Sequence, residues 1–119
     1  MEEVILEEKK PEIELEDFQK LDFRVCQIIA CEEVLKSRNF LKLTVNDGER
    51  QRTIMSTIRA YYRPEELVGK KIVVLVNLKP HKFCGILSEG MLIAVDMPEQ
   101  DDCKVLFADD SCPIGQPVS

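Results

Sequence analysis

The sequence predicts an all-β fold, and three observations carry that expectation. Apolar and polar residues alternate in short runs, as at Leu21–Val25 and Phe40–Val45, and a period of two marks a half-buried strand. Two solid apolar runs, Ile72–Val76 and Met91–Val95, are short, as buried strands are. Turn signals such as Asn46-Asp47-Gly48, and Pro80 with Gly85, separate the runs, and no strand–helix–strand rhythm intervenes.

Taken in order, residues 1–12 are charged, contain Pro11 and read as a flexible arm or linker ahead of one domain spanning 13–119. Ile13–Lys20 reads as an extended piece with one helical turn, Leu15 and Phe18 plugging one end of a core. Leu21–Cys31 is a strand with Leu21, Phe23 and Val25 facing inward. From Ile28 it turns apolar on both sides, as at a strong bend. Phe40–Val45, with Lys42 and Thr44 outward, forms a hairpin with Gln51–Met55 across the Asp47-Gly48 turn. Thr57–Ala60 makes a short helical turn. Pro64-Glu65-Glu66-Leu67 starts a short helix, since proline is pre-set for the first helical position and the glutamates complement its dipole. Val68-Gly69 ends it. Strands follow at 72–76, 91–95 and Cys103–Ala108, with an acidic loop at Asp96–Asp102. The 77–90 stretch reads as a loop carrying Lys79, His81 and Lys82. Five short strands with a helix between the third and fourth describe an OB-fold, a partly open five-stranded Greek-key barrel. The extra C-terminal strands lie beyond it. A generic β-sandwich is the alternative.

The chain has 119 residues and a net charge of −6, unevenly spread. The first twenty residues hold eight acids and three bases, and residues 91–119 hold six acids and one base. Residues 21–90 hold twelve bases and eight acids. A basic middle between acidic ends makes a basic face possible, because a site responds to the local field. No apolar run reaches membrane-spanning length, and the acidic start lacks the order of a signal peptide, so a cytoplasmic location with no membrane partner is expected. The five cysteines have no C-x-x-C spacing and one histidine beside them, which points away from zinc and from a disulfide framework. Neither a nucleophile–base pair nor a phosphate-binding loop is present. The expectation is no catalytic residue, no metal and no cofactor.

The basic candidates for nucleic-acid contact are Lys42, Arg50, Arg52, Arg59, Arg63, Lys79 and Lys82, with Tyr61 and Tyr62 able to stack on bases or to pack on the short helix. Three stretches then stand out together: DFQKLDFRV at 17–25, TIMSTIRAYYRPEELVGKKIVVLVNLKP at 53–80, and Gly85 followed by SEGML at 88–92. They resemble the tRNA-binding domain family, whose members include free-standing tRNA-binding proteins, the C-terminal domain of bacterial methionyl-tRNA synthetase and eukaryotic synthetase-associated factors. The resemblance covers roughly residues 13–96. It implies an OB-fold module that recognises tRNA shape without catalysis, forms a homodimer, and works alone or with an aminoacyl-tRNA synthetase. The expected RNA-binding set is Lys42, Arg50, Arg52, Ser56, Arg59, Lys79, Lys82, Ser88, Gly90 and Met91. The chain departs from the family pattern at Val34–Phe40, at Cys26-Gln27, at Thr57 and at Cys84. A protein-interaction or export-chaperone-like dimeric module is the alternative, since a chaperone relative shares the domain. Apolar Val4-Ile5-Leu6 and Ile13, with the C-terminal strand, Ile114 and Val118, supply the surface for a homodimer.

Overall fold

A computed structural model of the chain describes residues 9–119. The expectations for residues 1–8, Val4-Ile5-Leu6 among them, lie outside the described residues. The element order is α1 (Leu15–Gln19), β1 (Phe23–Glu33), β2 (Leu41–Asn46), β3 (Gln51–Ser56), α2 (Pro64–Leu67), β4 (Lys71–Leu75), β5 (His81–Phe83), β6 (Ile86–Ser88), β7 (Met91–Leu92), β8 (Ala94–Met97), β9 (Asp102–Val105) and β10 (Pro117–Val118). A 3₁₀ turn at Pro98–Gln100 joins β8 to β9.

The main sheet runs β3-β2-β1-β4-β7, with β10 also on β1. All its pairings are antiparallel. The sheet curls into a nearly closed barrel. Leu41, Leu43 and Val45 are fully buried, so β2 keeps the alternation read from its sequence. Ile54, Ile72, Val74 and Leu92 face them in one cluster with Cys26 and Ile28.

In β1 the core-facing set is Cys26 and Ile28, and Leu21 is exposed. The expected inward set was Leu21, Phe23 and Val25. Val25 is buried on the other face, where its N–H donates to the Gln116 carbonyl at 3.0 Å and its carbonyl accepts from Gly115 N–H at 2.7 Å. The register with β2 then shifts between Ile28 and Ala30. The extra residue reverses which parity faces in, so Cys31 rather than Ala30 packs on the core. This bulge is the bend signalled by the two-sided apolar run. Ile28 bonds to the chain after α2 on both its backbone groups, through Gly69 N–H at 2.7 Å and the Lys70 carbonyl at 2.9 Å.

The plug of the barrel is not α1. Leu15 is 70% exposed and Phe18 41%, and α1 buries none of its residues. Leu67 of α2 fills the end instead, fully buried beside Ile58. Asn77 ties the α1–β1 junction to β4: its Oδ1 accepts from Asp22 N–H at 2.9 Å and its Nδ2 donates to the Lys20 carbonyl at 2.6 Å.

Two expected loops are hairpins. Residues 81–88 form β5 and β6, with Phe83 paired to Ile86 across Cys84-Gly85. Both turn residues have positive φ, 53° and 77°, the geometry whose twist suits a two-residue hairpin. The acidic stretch is the β8–β9 hairpin, Met97 pairing with Asp102. The strand expected at Cys103–Ala108 is shorter: β9 leaves β8 after Val105, and Phe107 bridges to Ile72 of β4. Cys26 and Cys103 are buried apolar fillers, and burial pushes the Cys26 thiol up to about 11.

Candidate nucleic-acid interface

The β2–β3 register pairs Lys42 with Met55, and directly opposed residues share a face of a sheet. Because Leu41, Leu43 and Val45 point into the barrel, Lys42 and Met55 lie on its outside. The β5–β6 hairpin folds over this outer face, and two adjoining hollows lie beneath it. Both contain Met55, Phe83 and Met91. The smaller, about 240 Å³, runs to Leu78, Lys79 and His81. The larger, about 560 Å³, runs to Phe40, Tyr61 and Asp96. Together they form one groove with an apolar floor, a basic end and an acidic end.

The groove wall carries a row of rings. Phe83 lies 5.2 Å from Phe40 and 4.8 Å from His81, centroid to centroid. Met91 is 50% exposed and offers a pliable apolar surface beside them. Lys79, just before the β5–β6 hairpin, is exposed and lines the smaller hollow; Lys82, between His81 and Phe83 in β5, is exposed and lines neither hollow. Among the described residues neither forms a salt bridge within 4.0 Å. Lys42 is 3.4 Å from Glu32, an exposed pairing that a phosphate can readily displace. Ser56 lines the larger hollow.

The arginines expected here are committed elsewhere. Arg52 sits on the inward parity of β3, and its side chain is 16% exposed. Its guanidinium donates to Asp47 at 2.5 Å and to the Val76 and Glu89 carbonyls at 3.1 and 3.0 Å. Arg59 donates to the Val34 carbonyl at 3.1 Å, to the Ser37 carbonyl and to Glu33. Arg50 pairs with Glu89 at 2.8 Å. Burial pushes the Asp47 carboxyl up, but N–H groups of Arg50 and Glu49 and the Arg52 head outweigh it and hold it below its ordinary value. Glu89 is likewise lowered, chiefly by Arg50 and Thr53 N–H.

Ser88, Glu89 and Gly90 close the barrel seam. Thr53 N–H donates to the Glu89 carboxylate at 3.1 Å, Glu89 N–H donates to the Thr53 carbonyl at 2.7 Å, and Met55 N–H donates to the Ser88 hydroxyl at 3.0 Å. The Ser88 hydroxyl donates in turn to the Gly90 carbonyl at 3.1 Å and is buried. Gly90 has φ +154°, and a β-carbon there would lie 2.8 Å from the Leu75 carbonyl oxygen. The motif therefore presents Met91 to the groove and keeps Ser88 and Gly90 beneath it.

Tyr62 packs edge-on to Phe107, and its hydroxyl accepts from Val105 N–H at 3.1 Å. Tyr61 alone of the two lines the groove. Sequence reasoning missed the Phe40–Phe83–His81 row. Its local signal was the two-residue span Cys84-Gly85 between His81-Lys82-Phe83 and Ile86-Leu87-Ser88, which reads as a hairpin once positive φ is allowed at Cys84. Among the described residues no group of three or more metal-ligating side chains gathers, and no helix is long and apolar enough to cross a membrane.

Comparison with known proteins agrees with this architecture. The family described as "Putative tRNA binding domain" matches residues 23–117. The methionine–tRNA ligase of Methanocaldococcus jannaschii is 41% identical over 111 residues, covering 93% of this chain and 17% of that enzyme. The chain thus spans about one sixth of the length of such relatives. Among solved structures, a methionyl-tRNA synthetase related protein from Pyrococcus horikoshii superposes with a TM-score of 0.87 at 33% identity, over 92% of this chain and all of that one. The chaperone CsaA from Bacillus anthracis gives 0.81 at 29% identity, again over 92% of this chain and all of that one. With the matched region running from the start of β1 to β10, the chain belongs to the tRNA-binding domain family.

Proposed function

We propose that the chain is a non-catalytic tRNA-binding module, free-standing or appended to methionyl-tRNA synthetase, and that the groove under the β5–β6 hairpin is its RNA face. The carrying observation is exposed, uncommitted Lys79 at the end of a ring-lined floor, with exposed Lys82 on the strand that covers it. Phosphates meet cations at the rim, and apolar and aromatic groups meet whatever the RNA presents between them. Lys42 extends the basic rim along β2. Arg52 and Arg59 support the scaffold that holds it.

Filter binding of bulk tRNA against salt tests this. Two or three lysine–phosphate contacts give a log–log slope of roughly −2 to −3. Lys79→Ala and Lys82→Ala should each flatten the slope by about one, and equally for different tRNAs. Retained binding with a slope near zero would reject this face.

We further propose a homodimer. Ile13, Leu15, Phe18 and Leu21 are each more than 40% exposed, and the Asn77 bonds hold Leu78, also exposed, near that segment. A two-fold partner would cover both copies of the patch at once. Sedimentation equilibrium with the chain at about 1–100 μM decides it, a constant one-chain mass rejecting a specific dimer.

The likeness to CsaA favours a second reading, in which the apolar floor takes an extended peptide. An unfolded protein that displaces tRNA stoichiometrically supports it.

A further inference from the structure

We propose that the groove admits a short stretch of unpaired RNA from its basic end, and that Asp96 and Asp101 stop the strand at the other. The inference rests on the tRNA-binding reading and says which part of an RNA the groove meets.

The floor decides what enters. Duplex RNA offers a protein its phosphates, riboses and shallow groove, and its base faces are hidden in the stack. Such a ligand would cover Phe83 and Met91 without replacing the water it displaces by matching contacts. An unpaired base has two free faces and stacks on aromatic side chains whatever its identity. His81, Phe83 and Phe40 are already arranged at ring-to-ring spacing along the groove, so the row can be continued by a base.

The charges decide how far it goes. Lys79 and His81 border the hollow at one end. Asp96 borders the other, on the wall with Tyr61 and Cys103. Asp101 lies in the turn of the same β8–β9 hairpin, next to Asp102, which pairs with Met97. The Lys104 ammonium in this hairpin is 3.6 Å from Asp102 and leaves Asp96 and Asp101 uncompensated among the described ion pairs. Phosphates within about 8 Å of these carboxylates are repelled at physiological salt. A strand that follows the lysines turns away before Asp96, so the site size falls at the low end of the roughly 4–16 nucleotides typical of an OB fold.

The test measures fluorescence anisotropy of labelled oligouridylates of increasing length, from about two to twelve nucleotides. It compares the full chain, Asp96→Asn/Asp101→Asn, and a control of equal charge change, Glu49→Gln/Asp110→Asn. Asparagine is well suited to the left-handed φ of 48° at Asp101, so the first variant folds. Wild-type affinity should stop rising by about four nucleotides. The Asp96/Asp101 variant should keep gaining with length and bind the longest oligonucleotide about five-fold or more tighter than wild type, with the control within about two-fold. A wild-type affinity that climbs through the whole series, or an acidic-end variant that matches the control, overturns the proposal. Binding of tRNA with no binding of any oligouridylate also overturns it and leaves the tRNA reading standing. Loss of both overturns both.

Discussion

Met55 N–H donates to the Ser88 hydroxyl at 3.0 Å across the seam where β3 has no strand partner. A serine side chain thus stands where a ladder carbonyl would be. Ser88→Ala strands a buried N–H, and the expected loss is about 1–3 kcal/mol in urea unfolding. Affinity for tRNA, measured where the variant is fully folded, should stay within about two-fold, because the hydroxyl points into the seam. A variant as stable as wild type but unable to bind tRNA would assign Ser88 to the RNA instead.

Gly90 tolerates no side chain at its present backbone position, since a β-carbon there would meet the Leu75 carbonyl oxygen at 2.8 Å and the Ile54 and Val74 side chains at 3.1 Å. Gly90→Ala should lower stability by about 1–3 kcal/mol, and Gly90→Val by more. Unchanged melting of Gly90→Ala would show that the strand shifts freely, contrary to the packing described.

Acid should loosen the β2–β3 end of the barrel. Asp47 and Glu89 both have folded-state pKa values below their ordinary ones, so near pH 4 the unfolded chain binds more protons. Their stabilisation is complete above the unfolded values, about 3.9 and 4.3, and is lost as pH falls through the lower folded values. Asp47→Asn should reduce stability at pH 7 and flatten the decline below about pH 4. An acid limb with the wild-type slope in that variant would remove Asp47 from the account.

Cys84 adopts φ 53° in the β5–β6 turn, a conformation that costs most L-residues about 1–2 kcal/mol and asparagine less. Cys84→Asn makes the turn Asn-Gly, the preferred pair for this hairpin. Thermal unfolding should show a gain of about 0.5–1 kcal/mol, and a loss would mean that the thiol contributes packing there.

The barrel was legible because its strands alternate cleanly. Leu41, Leu43 and Val45 declare their face without help, and Pro64 with Gly69 brackets α2. Long-range events were not. The inward face of β1 shows only against its partners: the C-terminal residues Gly115 and Gln116 bond to Val25, so the apolar Leu21–Val25 alternation does not mark the core face, and the bulge after Ile28 reverses the parity only beyond it. The sequence shows the charge of Arg52 but not the Asp47 carboxylate and the two carbonyls that surround it. The resemblance brought Ser88, Gly90 and Met91 forward together, and only geometry separates the two that close the seam from the one that faces the groove.

The placement of β10 on β1 sets an order of events during synthesis. Phe23 pairs with Val118, and Val25 bonds to Gly115 and Gln116, along an edge that β2, whose pairing begins at Gln27, does not reach. About ninety residues separate these partners, which at roughly 5–20 residues per second is some 5–20 s of translation. The nascent barrel can assemble its other pairings in that interval, yet it carries an open strand edge at residues 23–25 until residues 115–118 are made. That interval is when a neighbouring nascent chain could pair there in place of β10.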